Sequence, residues 1–442
     1  MPTEILDQLC SGALRGIARL DLSAGLTAVP PEIRTLADSL QILNLSNNCL
    51  TDLPDWLPEL KKLRVIFCSN NLFRHVPEIL GQCPALEMIG FKSCQIETVC
   101  ATALPPRLRW LILTDNQLST VPPELGYRPR LQKLMLSGNR LTALPPELAQ
   151  CQNLELLRLA ANQFSSFPGW LWELPSLAWL AVAGNPCTEI PGPPSKPIRG
   201  IAWSQLTMGI LLGEGASGLI HQAAWTPEAG QPPRGVAVKL FKGAMTSDGL
   251  PASEMAACLA VGGHPQCVGA IGRIAGHPDG IEGLVMPLLD SSYRPLAGPP
   301  SLDSCTRGIY APDARLSAKE AMGLITHIAR AAAHVHSLGF LHGDLYAHNV
   351  LHSPDGGVVM SDFGAASSYP PGTAYKIERI EVRAFGILMQ EILGHCPDHA
   401  TLPASFTALP ALCMQADVSA RPGFREITEI IQDWAEGSLQ SA

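Results

Sequence analysis

The sequence predicts an α/β solenoid of stacked repeats over residues 1–190, then a separate α+β domain over residues 205–435. Three observations lead there. A motif recurs every 22 or 23 residues through the first half, glycine-punctuated apolar runs begin near Trp203, and a proline-rich linker at 191–204 separates the two. The 442 residues exceed one ordinary domain, and 46% apolar against 16% charged residues supplies packed cores rather than disorder. A net charge of −8 disfavours binding to nucleic acid or to an anionic membrane. No basic run followed by an apolar core opens the chain, and no apolar span reaches about 18 residues. Neither a secretory signal nor a membrane helix is therefore expected. The thirteen cysteines are scattered and never form Cys-x-x-Cys, which fits reduced thiols in a cytoplasmic protein. The cluster HCPDH from His395 to His399 reads as a helix-end turn.

Seven segments carry the repeat: LQILNLSNNCL from Leu40, LRVIFCSNNLF from Leu63, LEMIGFKSCQI from Leu86, LRWLILTDNQL from Leu108, LQKLMLSGNRL from Leu131, LELLRLAANQF from Leu154 and LAWLAVAGNPC from Leu177. A shortened copy starts at Ile17. The pattern L-x-x-L-x-L-x-x-N-x-L and its period resemble those of leucine-rich repeats. Each unit contributes one short strand with inward leucines. Asn48, Asn71, Asn116, Asn139, Asn162 and Asn185 recur where a curved loop leaves backbone groups unpaired, and an amide side chain can bond them. Cys94 takes that position once and Cys68 a leucine position, so both read as core fillers. Residues Thr3 to Leu14, with Ile5, Leu6 and Leu9 at helical spacing, read as an N-terminal cap. Val-Pro and Leu-Pro steps, as at Val76-Pro77, suit a return segment that donates no ladder bond.

Alternation along the strands assigns the third and fifth repeat positions to the concave face. There stand Phe67, Met88, Trp110, Ile112, Met135 and Trp179, among others. An apolar and aromatic set expected to face solvent marks an interaction surface, whose expected occupant is a protein partner or substrate, the alternative being that the second half of the chain folds over part of the face.

The second half holds an ordered constellation. LLGEGASGLI spaces Gly213, Gly215 and Gly218 as G-x-G-x-x-G, which alone would also suit a dinucleotide-binding fold. GVAVKLF then places Lys239 inside a strand, and Glu254 follows fifteen residues on in a helical stretch. HGDLYAHNVL carries His342, Asp344 and Asn349; SDFG carries Asp362; CMQADVSARPGF carries Arg421. This order resembles the eukaryotic-type protein kinase domain over residues 205–435, and the whole chain resembles the leucine-rich-repeat protein kinases. The resemblance implies a bilobal domain that binds ATP with Mg²⁺, or Mn²⁺, and phosphorylates a protein hydroxyl, serine or threonine ahead of tyrosine. It implies that Gly213, Gly215 and Gly218 cover the phosphates, and that Ala237, Met286, Leu289 and Leu351 enclose the adenine. It assigns Lys239 to the α and β phosphates with Glu254 as its anchor, Asn349 and Asp362 to the metal, and Asp344 to the incoming hydroxyl. Oxygen donors suit a hard cation, and glycines let backbone approach phosphate oxygens.

Four departures accompany the resemblance. Gly343 stands where the family most often has an arginine that clamps a phosphorylated activation segment, and Glu381 in EVRAFG comes only nineteen residues after Asp362. A short segment has no use for the clamp, so activation by phosphorylation of that segment is not expected. No Ala-Pro-Glu triplet appears, which leaves Glu378 as a substitute partner for Arg421, and Tyr346 replaces the family's lysine after the catalytic acid. The rival readings are a scaffold that binds nucleotide without transferring phosphate, and phosphorylation of a small molecule.

Overall fold

The computed structural model describes residues 2–188 and 199–440, apart from 216, 229, 244, 247 and 370–373. Residues 191–198 of the expected linker lie outside that set. By its contacts the chain divides into two units, one of Met1–Ser176 with Asn185–Cys187, the other of Leu177–Gly184 with Thr188–Ala442.

The first unit opens with helix α1 (Pro2–Ser11), whose Leu9 is buried. Seven three-residue strands follow: β1 (Arg19–Asp21), β2 (Ile42–Asn44), β3 (Val65–Phe67), β4 (Met88–Gly90), β5 (Trp110–Ile112), β6 (Lys133–Met135) and β7 (Leu156–Arg158). Each pairs in parallel with the next in identical register, third repeat position to third. Their middle residues, Leu20 to Leu157, form a buried column. On the return side, short 3₁₀ turns such as Glu78–Gln82 and Pro146–Gln150 start directly after a proline. Proline sits well there, because the first N–H groups of a helical turn have no internal partner to lose.

The asparagines solve the turn between strand and return. Asn139 accepts from Leu118 N at 3.0 Å and donates to the Leu113 and Leu136 carbonyls at 2.9 Å each. Asn48, Asn71, Asn116 and Asn162 repeat that arrangement one level apart. The residue before each takes the left-handed region, at φ 54–70° for Asn47, Asn70, Asp115 and Gly138, which explains Asn, Asp or Gly there, and at 52° for Ala161 before Asn162. Cys94 is a weaker substitute: its thiol reaches the Cys68 carbonyl at 3.4 Å. Cys68 itself is fully buried, and all thirteen cysteines are free.

The expectation of solvent-facing side chains on the concave face needs correction. Phe67, Trp110 and Ile112 are half-buried, but Met88 and Trp179 are only 1% exposed and Met135 9%. Parallel strands about 4.8 Å apart press neighbouring side chains together sideways. Trp110 Nε1 lies 3.3 Å from Met135 Sδ, and the Lys133 ammonium sits 4.3 Å from the Trp110 ring centre. Trp179 has a different occupation, described below.

The second unit begins with β8 (Trp179–Ala181), which carries the strand pattern of the last repeat. Then come β9 (Gly200–Ala202), β10 (Leu206–Glu214), β11 (Gly218–Trp225), β12 (Arg234–Phe241), helix α2 (Pro251–Val261), β13 (Gly272–Ala275) and β14 (Gly283–Pro287). These strands form one sheet in the order β10-β11-β12-β14-β13-β9, so the sheet already includes residues 200–202 of the stretch expected as linker. Val236, Val238, Trp225, Ile274 and Val285 make its core on one face. A helical lobe follows. It contains β15 (Arg294–Pro295), α3 (Ala318–Ser337), β16 (Phe340–Leu341), β17 (Val350–His352), β18 (Val358–Met360), β19 (Ser367–Ser368), α4 (Ala374–Gly394), α5 (Ala404–Cys413) and α6 (Phe424–Gln440). Ser317 caps α3 reciprocally with Glu320, the pairing its Ser-x-x-Glu pattern calls for. After α4, His395 and Cys396 turn back onto the Ile392 and Leu393 carbonyls. No helix among the described residues is long and apolar enough to cross a membrane.

Candidate active site

Strand alternation aims the first site residue. In β12, Val236 and Val238 enter the sheet core, so Ala237 and Lys239 face the other way, into a cavity of ≈ 330 Å³. Lys239 is 8% exposed and its ammonium is ion-paired with Glu254 Oε1, from the first turn of α2. Burial raises the Glu254 carboxyl above its usual range, and the neighbouring Asp362 charge adds to that, although Lys239 pulls the other way. The same burial pushes the Cys258 thiol, one turn further along α2, well up and leaves it inert.

The roof of the cavity is the β10–β11 hairpin. Gly215 N donates to Gly218 O at 2.9 Å, closing the turn. A side chain at Gly218 would meet the Leu240 carbonyl at 2.4 Å, so close pairing of β11 with β12 demands glycine. Nothing lies within 4 Å of a Cβ placed on Gly213 or Gly215, leaving open room beside the backbone. Met286 (at the end of β14), Leu289 and Leu351 line the apolar part, together with Ala237.

Opposite, the residues of the loop from His342 to Asn349 hold one another. Asn349 Nδ2 donates to Asp344 O at 2.8 Å and to Asp344 Oδ2 at 3.0 Å, which points the amide nitrogen at the acid and leaves the amide oxygen for another partner. The Asn349 carbonyl accepts from Ser361 N and Ser361 Oγ, beside Asp362 in sequence. Asp362 takes φ 57° and its Oδ1 accepts from Gly364 N at 3.1 Å, a tight turn that presents the carboxylate to the cavity. Asp344 N donates to His342 Nδ1, so His342 carries its proton on Nε2, toward the Ser361 carbonyl at 3.0 Å. The His342 ring packs against Phe363, 4.9 Å between centres.

One carboxylate underpins this loop. Glu381 of α4 is buried and accepts from His342 N at 3.1 Å, Gly343 N at 2.7 Å and the His336 ring at 2.7 Å. Burial alone would raise its carboxyl, but His336, His342 and the Gly343 amide together hold it below the usual carboxylate range.

Of the residues expected from sequence, the cavity gathers Gly215, Gly218, Ala237, Lys239, Glu254, Met286, Leu289, Leu351 and Asp362. Asp344 and Asn349 stand just beyond it, tied in through Ser361, and Gly213 lies one residue outside its lining. Sequence reasoning missed Ile220, Cys258, Thr246 and Asp248. Ile220 sits two places after Gly218 on the same face of β11, and Cys258 lies four after Glu254, so spacing could have found both. Thr246 and Asp248 come from an irregular connection where no periodicity points anywhere. The suggested Glu378–Arg421 pairing is replaced by other bonds: Arg421 donates to the Gln415 and Arg379 carbonyls, while Glu378 accepts from Phe424 N at 2.7 Å. Glu378 thereby serves the start of α6.

The donor set suits a divalent cation and a phosphate chain. An amide oxygen and a carboxylate are hard ligands, and a buried ammonium opposite them is a counter-charge for phosphate oxygens. Comparison with known proteins agrees. Residues 206–385 match the family described as protein tyrosine and serine/threonine kinase. Residues 129–186 and 39–60 each match a family described as leucine rich repeat. Fibroblast growth factor receptor 1 of Xenopus laevis is 28% identical over 182 residues, 39% of this chain. The match spans only 22% of that receptor's length.

Proposed function

From a chain that carries leucine-rich repeats followed by a protein kinase domain, we propose an ATP- and Mg²⁺-dependent enzyme that phosphorylates a protein hydroxyl, serine or threonine in preference to tyrosine. The observation that carries this reading is the formed Lys239–Glu254 ion pair inside a cavity that Asp362 also lines. Catalysis of phosphate transfer is largely positioning and charge neutralisation, and those are the groups that provide both.

Within this reading Lys239 binds the α and β phosphates, and Glu254 fixes its position. The open backbone at Gly213 and Gly215 lies along the phosphates, while Ala237, Met286, Leu289 and Leu351 hold the adenine by apolar contact. Asn349 and Asp362 would hold Mg²⁺, which when bound neutralises charge on the phosphate oxygens. Asp344, oriented by the Asn349 amide, accepts the proton of the acceptor hydroxyl. The repeats recruit a protein, with Phe67, Trp110 and Ile112 as the accessible apolar contacts. The free thiols suit a cytoplasmic setting.

Radiolabelled ATP with Mg²⁺ or Mn²⁺ tests the proposal. Wild type should label itself or a generic protein substrate, and Asp344→Ala should reduce the signal to background. ATP-dependent thermal stabilisation of wild type without any transfer would instead select the nucleotide-binding scaffold.

A further inference from the structure

Trp179, only 1% exposed, touches the catalytic loop from outside the nucleotide cavity. Its indole Nε1–H donates to the Leu345 carbonyl at 3.2 Å, directly after Asp344. The ring stacks on Tyr346, 4.2 Å between centres and 5° from parallel. The Arg307 guanidinium lies 5.8 Å from the same ring. Three and four residues further along the segment, Val182 N and Ala183 N both donate to Ser367 Oγ, at 3.0 and 3.1 Å. Ser368 Oγ donates to the Thr188 carbonyl at 2.9 Å. Residues 179–183 and Thr188 thus grip the loop that follows Asp344 and the short stretch that follows Asp362.

Gly343 completes the picture. Its φ is +78°, and a Cβ there would meet the Leu180 and Ala365 carbonyls at 2.6 Å each. The glycine is therefore a packing requirement of this segment. The hydroxyls of residues 361–369 are also engaged: Ser361 with the Asn349 carbonyl, Ser367 and Ser368 as above, Tyr369 with His336.

We infer that the strand of the last repeat, through Trp179, is the positioning element of the phosphotransfer centre, and that it holds the catalytic loop ready without phosphorylation of the segment after Asp362. The inference rests on the kinase reading above and adds to it a constitutive, internally supplied organiser. Trp179 acts through Leu345 and Tyr346, on the chain that carries Asp344 and Asn349, and lies outside the nucleotide cavity.

The test uses the full chain and two variants. Trp179→Phe keeps an aromatic stack and removes the Nε1–H donor; kcat for phosphate transfer should fall about 3- to 10-fold with the KM for ATP unchanged. Trp179→Ala should fall further, still with wild-type thermal stabilisation by ATP. Should Trp179→Ala lose that stabilisation, it has misfolded and Trp179→Phe decides. Wild type treated with a broad phosphatase should keep its rate within about twofold, because no phosphate is needed to set the loop. Unchanged kcat in Trp179→Phe, or loss of most activity on phosphatase treatment, overturns the inference. A wild type that transfers no phosphate sinks the kinase reading alone. Hydrogen exchange across residues 342–349 then judges the positioning: faster exchange in Trp179→Phe supports it, and identical protection overturns it.

Discussion

The asparagine turns of the repeats and the loop around Asp344 face the same problem, a bend in the chain whose buried backbone groups need partners. The repeats answer it with one side chain used again and again: the Asn139 bonds are nearly those of Asn71 and Asn162. The catalytic loop answers it with single-copy parts, Glu381 under His342 and Gly343, Asn349 on Asp344, and Trp179 on Leu345. A repeated answer tolerates imperfection at one level, as Cys94 shows. A single-copy answer has no second level to share the loss.

Substitution in each region should expose that contrast. Beside Asp344→Ala, the largest effect is expected at Lys239→Met, which removes the only cation that the cavity lining supplies among the described residues. Phosphate transfer should drop at least about 100-fold, measured with radiolabelled ATP. Asn139→Ala strips two carbonyls and one amide of their partner, and urea unfolding should report a loss of about 3 kcal/mol in the repeats. Asp344→Ala should instead lose activity at far smaller cost in stability, and a reversed ranking would break the comparison.

Glu391 of α4 gives an intermediate effect. Burial raises its carboxyl to about 7, against Gly308 N, Arg307 and Tyr310, which pull it down. A raised folded value means the native state binds the proton more tightly than the unfolded chain. Its stability contribution is complete below about pH 4.5 and is lost as pH rises toward 7. Glu391→Gln should remove about 2 kcal/mol of that pH dependence, read from unfolding midpoints at pH 5 and pH 8. The smallest effect is a gain. Cys94→Asn restores the common side chain at the one weak level and should stabilise the repeats by about 1 kcal/mol in the same urea assay.

Legibility in the sequence followed the same division. A period of 22 or 23 residues marks the strands to the residue, because identical register makes every copy a check on the others. In the second unit, the order Lys239, Glu254, Asp344, Asn349, Asp362 was readable because each residue sits in a short local pattern. Alternation failed at Trp179 and Met88. It tells which face of a strand a side chain takes, never what covers that face. Glu381 was visible as part of a helix, but its three bonds depend on the fold bringing α4 beneath residues 342 and 343. Thr246 and Asp248 reach the cavity from a connection without period, so no pattern could have named them.

The crowding around Gly343 has a consequence for how this chain can change. With a carbonyl on two sides and an amide hydrogen committed to Glu381, no single substitution can install a longer residue there without displacing two stretches of main chain. Gly343→Arg should therefore cost a local repacking of both stretches, not the simple gain of a cation.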